Sequence, residues 1–281
     1  MTETPVPKRP DYQAIKKLGE SFATEPDYYD RFRPTYSDAT FEQLVQVTSL
    51  APDAKLLEIG SGTGIASLPM AQRGYDLICL EPGESLVKLA RQKLQKYPNT
   101  KLTTSTLEDY KLSTNHFDLI YSAMALHWVN PTEQYSHPHK LLKPGGFLGL
   151  IYTEPVLLDD PEEDVFLLAL APTLAQNGMI SENQLPARRL DEIDWVPQPE
   201  YTSEAADLFD FHHGSFREQL ISFNSLAFAG YLHTLSGVIN MPEEQRYNFL
   251  HGVMQLIRSD FGDRVKVPFA ETLFILQKPD S

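Results

Sequence analysis

The sequence predicts an α/β protein built on a mostly parallel sheet. Three observations predict it. Between residues 55 and 152, short apolar runs alternate with segments of helical periodicity, which is the pattern of βαβ units. A glycine-rich turn, Gly60-Ser61-Gly62-Thr63-Gly64, joins the first apolar run to the first helical segment. Far downstream, Glu271 to Gln277 (ETLFILQ) reads as one further strand.

The elements follow in order. Pro5, Pro7 and Pro10 mark a frayed arm, and residues 12–24 carry a loose helical pattern through Ile15, Leu18 and Phe22. Residues 25–36 are aromatic and charged, and Pro26 and Pro34 are expected to break any helix there. Ser37 or Asp38 is a good N-cap type for a helix through Phe41, Leu44, Val45 and Val47. Strands are expected at 55–59, 76–80, 101–105, 117–123 and 147–152, with helices at 64–73, 85–96 and 131–142 between them. After Glu154-Pro155 the pattern changes. Residues 156–200 are acidic and proline-punctuated, with one apolar helix at 165–175. A sixth strand is expected at 207–212, and residues 215–235 and 242–259 read as helical. The expected organisation is an arm and helix at 1–24, a nucleotide-binding core at 25–155, a mostly helical cap at 156–265 that includes strand six, and a final strand at 266–281 completing the core sheet.

Composition narrows the function. The 281 residues hold 24 Lys and Arg against 38 Asp and Glu, a formal charge of −14. A field of that sign repels phosphate backbones, so no nucleic-acid partner is expected. The single cysteine, Cys79, permits neither an intrachain disulfide nor a multi-cysteine zinc site and fits a reducing compartment. The first 17 residues have no apolar signal core, and no run approaches the roughly 18 apolar residues of a membrane span. The expected location is cytoplasmic, with no membrane partner and no metal site. Monomer and dimer stay equally open.

The glycine turn carries the chemistry. Glycine lets the chain turn sharply and approach a ligand without a Cβ clash, and the helix behind it offers free N–H groups. The spacing is G-x-G-x-G, with Ile65 where a dinucleotide fingerprint would need its third glycine. Glu58 stands two residues before the first glycine. A carboxylate there repels a pyrophosphate but attracts the ammonium and sulfonium charges of S-adenosylmethionine. Glu81 ends the second strand, where an acid can accept both hydroxyls of a ribose. An NAD-dependent oxidoreductase is the alternative that Glu58 and Ile65 argue against.

LLEIGSGTG, LEPGESLVKLAR, FDLIYSAMALHWV and LLKPGGFLGLI, in that order, resemble the motifs of class I S-adenosylmethionine-dependent methyltransferases. Over residues 28–153 the resemblance is strongest to the methyltransferase type 11 branch that includes trans-aconitate methyltransferase-like proteins, and YYDRFRPTY adds to it. It implies a Rossmann-like sheet of seven strands with the last antiparallel. It also implies transfer of a methyl group from S-adenosylmethionine to a small-molecule acceptor, a carboxylate or a hydroxyl, leaving S-adenosylhomocysteine. By the same resemblance Gly60, Ser61 and Gly62 line the methionine part, Gly64 belongs to the same cofactor-binding loop, and Glu81 holds the ribose with Pro82 beside the adenine. Thr106 and Leu107 contact the adenine, although the family often has an acid where Thr106 stands. Ser122 and Ala123 sit near the methyl group, His127 and Trp128 form the adjoining wall, and Tyr29 and Arg33 close over the cofactor.

Methyl transfer from a sulfonium is an in-line displacement, so the protein chiefly aligns and desolvates. A carboxylate acceptor needs no base, whereas a hydroxyl does. His127 is the candidate catalytic residue because it follows strand four, and a structural histidine is its other reading. Arg188, Arg189 and Arg217 are candidate anchors for an acidic acceptor. A non-catalytic module that only binds S-adenosylmethionine has the same motifs and stays open.

Overall fold

The computed structural model describes residues 21–111, 113–160, 162–181, 184–192 and 205–280. The expected N-terminal arm, most of the helix at 12–24, and Trp195 lie outside them.

The sheet is made of β1 (Lys55–Ile59), β2 (Asp76–Glu81), β3 (Thr100–Thr104), β4 (Phe117–Ala123), β5 (Leu142–Leu157), β7 (Asp210–Phe223) and β8 (Val265–Gln277). Its order is β3-β2-β1-β4-β5-β8-β7, and a two-residue β6 (Arg188–Arg189) pairs with β5 off this path, making eight strands. β1 to β5 pair in parallel, while β8 runs antiparallel to both β5 and β7. The strand order therefore reverses between β1 and β4, and the crevice at their carboxyl ends is where such sheets take ligands.

The helices are α1 (Pro26–Phe32), α2 (Asp38–Thr48), α3 (Ser67–Gln72), α4 (Glu84–Leu94), α5 (Ser136–Leu141), α6 (Val165–Gln176), α7 (Ser225–His233), α8 (Ser236–Ile239) and α9 (Glu243–Asp260). Successive side chains of a strand point to opposite faces, and β1 shows what that does here. Leu56 packs with Phe41, Met70, Leu77 and Tyr121 on one face, while Leu57 and Ile59 pack with Phe117, Ile120 and Leu148 on the other. All of these are buried, so truncating one leucine to alanine costs about 2–5 kcal/mol. A third cluster, with Phe166, Phe228, Phe249, Val253 and Phe269, binds α6, α7 and α9 to the outer halves of β7 and β8.

One buried acid joins the ends of the described chain. The Ser37 side chain does not cap α2. The Glu271 carboxylate of β8 does so instead, accepting from the Ser37 N–H at 3.0 Å, from the Thr40 hydroxyl, and from Gln219 Nε2 at 3.1 Å. An anion at a helix N-terminus is favourable there. Burial pushes this carboxyl up from the ordinary range, against the lowering effect of those donors.

Several expectations need correction. Residues 26–32 are helical, because Pro26 occupies the first turn, where a missing N–H costs nothing. Residues 210–223 form one long strand rather than a short strand followed by a helix. Helix α7 starts only at Ser225, where the Asn224 side chain accepts from Ala227 N at 2.8 Å. Strand five runs from 142 to 157 and absorbs the Lys143-Pro144-Gly145-Gly146 stretch, and the helix before it spans only Ser136–Leu141. Of the aromatics between 209 and 231, Phe209, Phe223, Phe228 and Tyr231 are buried, while Phe211 and Phe216 are exposed.

Candidate functional site

A cavity of about 300 Å³ lies at the carboxyl ends of β1, β2 and β4. A smaller polar recess of about 30 Å³ adjoins it and shares Tyr29, Arg33, Gly60, Gly62 and Ala123 with it. Of the residues singled out from sequence, Tyr29, Arg33, Gly60, Gly62, Glu81, Pro82, Thr106, Leu107, Ala123 and His127 line the larger cavity. Glu58 and Ser61 line the recess.

Gly64 and Ser122 line neither. A Cβ at Gly64 would press on Leu94 and Ala90, so this glycine serves the packing of α4. The Ser122 hydroxyl donates to the Ile59 carbonyl at 3.0 Å and ties β4 to β1.

The loop conformation comes from its glycines. Gly60, Gly62 and Gly64 all have positive φ, the region that side chains other than glycine rarely adopt. Gly60 is constrained twice, because a Cβ there would also collide with the Ala125 Cβ. Met124, on the same turn, adopts φ 54° without being glycine, and the Thr153 N–H points at its Sδ at 3.1 Å. Strain of this kind is characteristic of ligand sites.

Two acids on neighbouring strands behave differently. Glu81 Oε2 accepts from Gly62 N at 2.9 Å, and Oε1 accepts from Gly83 N at 2.8 Å. These bonds aim the carboxylate along the cavity wall and hold it down, while burial pushes its pKa up. A carboxylate has about four acceptor positions, so capacity remains for a ligand's hydroxyls. Glu58, in contrast, is bonded to other side chains rather than to the glycine loop. Its Oε2 accepts from the Ser67 hydroxyl and from the Tyr121 hydroxyl at 3.1 Å. Burial lifts its pKa to about 7 despite those bonds. Glu58 thus lines the recess as an internally bonded carboxyl whose charged form is disfavoured by burial.

The recess supplies donors instead. Among the described residues, Arg33 Nε, Ser61 Oγ and Thr63 Oγ1 are buried without a hydrogen-bond partner, and all three residues line it. Buried unpaired donors are rare and call for an occupant. The Arg33 guanidinium lies 5.1 Å from the Tyr29 ring centroid, and Nη2 donates to the Thr234 carbonyl at 3.1 Å. Donors of this kind favour an anionic occupant of the recess.

A strap made of residues 21–33 forms the roof. Phe22, in a short 3-10 turn (Ser21–Thr24), meets Trp128 edge-on at 5.4 Å and Tyr29 at 5.8 Å. Ser85 Oγ donates to the Ala23 carbonyl at 2.7 Å, and Lys93 pairs with Asp30. The His127 ring lies tilted by 49° against Trp128, with centroids 4.6 Å apart. Burial, reinforced by the Arg33 cation, pulls its pKa down to about 4. At neutral pH it is an uncharged imidazole and a weak base.

The sequence reasoning missed Phe22, Leu86, Glu108, Leu235 and Ser236, all of which line the cavity. Glu108 offers the acid that Thr106 lacks, two residues further on. The Thr106 hydroxyl is engaged with Asp109 at 3.0 Å, while Glu108 Oε1 accepts from Asn130 N at 2.8 Å. Leu235 and Ser236 carry no sequence signal. The candidate acceptor anchors lie elsewhere: Arg188 pairs with Glu154, Arg189 with Asp159, and Arg217 donates to Gln43. Among the described residues there is no cluster of three metal-ligating side chains and no helix long and apolar enough to cross a membrane.

Comparison with known proteins points the same way. Residues 57–150 match the family model described as a methyltransferase domain. An uncharacterised methyltransferase of Mycobacterium tuberculosis is 30% identical over 49% of this chain and 54% of its own length. The chain thus spans about half the length of the curated relatives of this kind. Trans-aconitate 2-methyltransferase of Deinococcus radiodurans is 30% identical over 44% of this chain and 47% of its own length. Malonyl-[acyl-carrier protein] O-methyltransferase 1 of Ilyobacter polytropus is 23% identical over 89% of this chain and 88% of its own. Among solved structures, a candidate type II methyltransferase of Anaeromyxobacter dehalogenans superposes with TM-score 0.58 at 20% identity, covering 89% of this chain and 98% of that one. The [4+2]-cyclase SpnF superposes with TM-score 0.55 at 13% identity, covering 95% and 97%. The fold is shared with both of these solved structures, and the second is named for a chemistry other than methyl transfer.

Proposed function

We propose, on the premise that this chain carries a class I methyltransferase domain, that it transfers a methyl group from S-adenosylmethionine to an oxygen of a small acidic molecule. The observation that carries the cofactor reading is the pairing of a poised carboxylate, Glu81, with the unpartnered donors Arg33 Nε, Ser61 Oγ and Thr63 Oγ1. Glu81 would accept the ribose hydroxyls. Pro82, Leu86 and Leu107 would flank the adenine, with Thr106 and Glu108 at its edge. Arg33, Ser61 and Thr63 would take up the amino-acid carboxylate. When bound, the cofactor supplies a methyl group already activated on a sulfonium, so the chain is left to align, exclude water and orient the acceptor.

The acceptor reading rests on His127. A base with a pKa of about 4 removes protons poorly from hydroxyls at neutral pH. A carboxylate is already ionised and needs no such help. The names of two relatives, one acting on trans-aconitate and one on a malonyl group with transfer to oxygen, support the same class. His127 then orients the acceptor through a hydrogen bond.

Two measurements test this. Titration with S-adenosylhomocysteine should give heat and a raised Tm, and stabilisation by NAD instead would overturn the cofactor reading. Incubation with S-adenosylmethionine and a panel of small acids, alcohols and amines should release S-adenosylhomocysteine with acids first. Binding without turnover on any of them would favour a non-catalytic or non-methylating module, for which the cyclase neighbour gives a fold precedent.

A further inference from the structure

We propose that Gly230 and Phe32 form a ball and socket that seats the strap on α7 and so holds Arg33 over the polar recess, making both positioning residues for ligand closure. This rests on the cofactor reading above.

The argument starts from a glycine that is costly where it stands. Glycine inside a helix is less stable than alanine, and Gly230 is the sixth of nine residues in α7. Gly237 in α8 and Gly252 in α9 have nothing within 4 Å of a Cβ position. Gly230 differs: a Cβ there would lie within 2.6 Å of both Cδ atoms of Phe32. The ring thus rests on bare helix backbone, an approach that only glycine allows.

Phe32 is the last residue of α1, and Arg33 follows it directly. The Arg33 guanidinium donates to the carbonyl of Thr234, one turn beyond Gly230. α7 and the residue that caps its end therefore receive the ring and the guanidinium together. Tyr28 at 5.0 Å and Arg31 at 5.2 Å hold the ring from the strap side. Phe32 lines neither the cavity nor the recess, so it can influence a ligand only by placing its neighbours. Filling the socket lifts the C-terminal end of α1 and carries Arg33 away from the recess.

Calorimetric titration of the full chain with S-adenosylhomocysteine tests this. Gly230→Ala should raise Kd at least fivefold, while Gly252→Ala, a matched helix glycine with open space around it, stays within twofold of wild type. Adding Phe32→Leu to the Gly230→Ala protein, which gives the new methyl group room, should return Kd to within threefold. Phe32→Ala gives an independent reading should Gly230→Ala fail to fold. It should raise Kd about fivefold by itself but less than twofold in an Arg33→Ala background, because its effect passes through Arg33. An unchanged Kd for Gly230→Ala, a failed rescue, or equal effects of Phe32→Ala in both backgrounds would each overturn the socket. A wild-type chain that gives no heat would overturn the cofactor reading instead.

Discussion

The cavity has two walls of different origin. The floor, at the carboxyl ends of β1, β2 and β4, is local. Gly60 to Gly64 turn within a few residues of the strand they leave, and Glu81 is fixed by the N–H groups of Gly62 and Gly83. The roof is assembled from a distance: Arg33 and its acceptor Thr234 are 201 residues apart in sequence. The floor draws its rigidity from a sheet buried on both faces. The roof depends on a few contacts, among them Lys93 with Asp30, Ser85 with Ala23 and Arg33 with Thr234. One wall is a platform and the other a detachable cover, so damage to the first should reach the fold while damage to the second should reach the ligand alone.

That contrast can be broken or sharpened by substitution. The largest effect is expected on the floor at Gly60→Ala, which meets both a disfavoured φ and Ala125. A loss of about 3 kcal/mol or more of stability should appear in denaturant melts, and a variant as stable as wild type would show that the floor yields.

Glu58 should give the next effect, as pH dependence. Its folded pKa, about 7, lies above its ordinary value of 4.5. The folded state therefore binds the proton more tightly than the unfolded chain. Stability from this group is fully present below pH 4.5 and is lost as pH rises through 7, by on the order of 3 kcal/mol. Glu58→Gln should flatten the stability profile across that window, and an unchanged slope would place the titration elsewhere.

Glu81→Ala removes a charged acceptor and also frees the Gly62 and Gly83 N–H groups it holds, so S-adenosylhomocysteine affinity should fall roughly 30-fold and Tm should fall with it. On the roof, Arg33→Ala should cost about tenfold in the same affinity and move Tm by no more than a degree or two. If Arg33→Ala unfolds the protein, the cover is as structural as the platform. The smallest expected effect is the pH profile of turnover: with His127 at about 4, no rising limb near pH 6.5 should be seen.

The same division decides what the sequence disclosed. The sheet, the glycine turn and Glu81 could be read because a strand-to-helix turn fixes their spacing within one short stretch. Apolar mass alone does not separate the buried Phe209, Phe223, Phe228 and Tyr231 from the exposed Phe211 and Phe216. Beyond His212, β7 is not readable as a strand, because Phe216, Leu220, Ile221 and Phe223 fall at spacings that a helix face would also give. Only pairing with β8, a long-range fact, decides between the two. Glu58 was visible as an acid, but Tyr121, which claims it, sits on another strand 63 residues away. Pro26 reads as a breaker from sequence, although a first-turn proline is compatible with a helix. Leu235 and Ser236 reach the cavity only through the tertiary path of α7 and α8.

The place of β8 has a kinetic consequence. It is the last strand in chain order, yet it lies between β5 and β7 and separates them. While the protein is being synthesised, β7 has no partner until residues 265–277 leave the ribosome, and α2 waits for the Glu271 carboxylate for its cap. The parallel part, β1 to β5, can assemble from nearby segments well before that. The strap docks on α7, which follows β7 directly. Maturation of the cavity is thus gated by the final β-pairing, a long-range and therefore slow event, and a nascent chain stalled before residue 265 should carry the glycine turn without a finished roof.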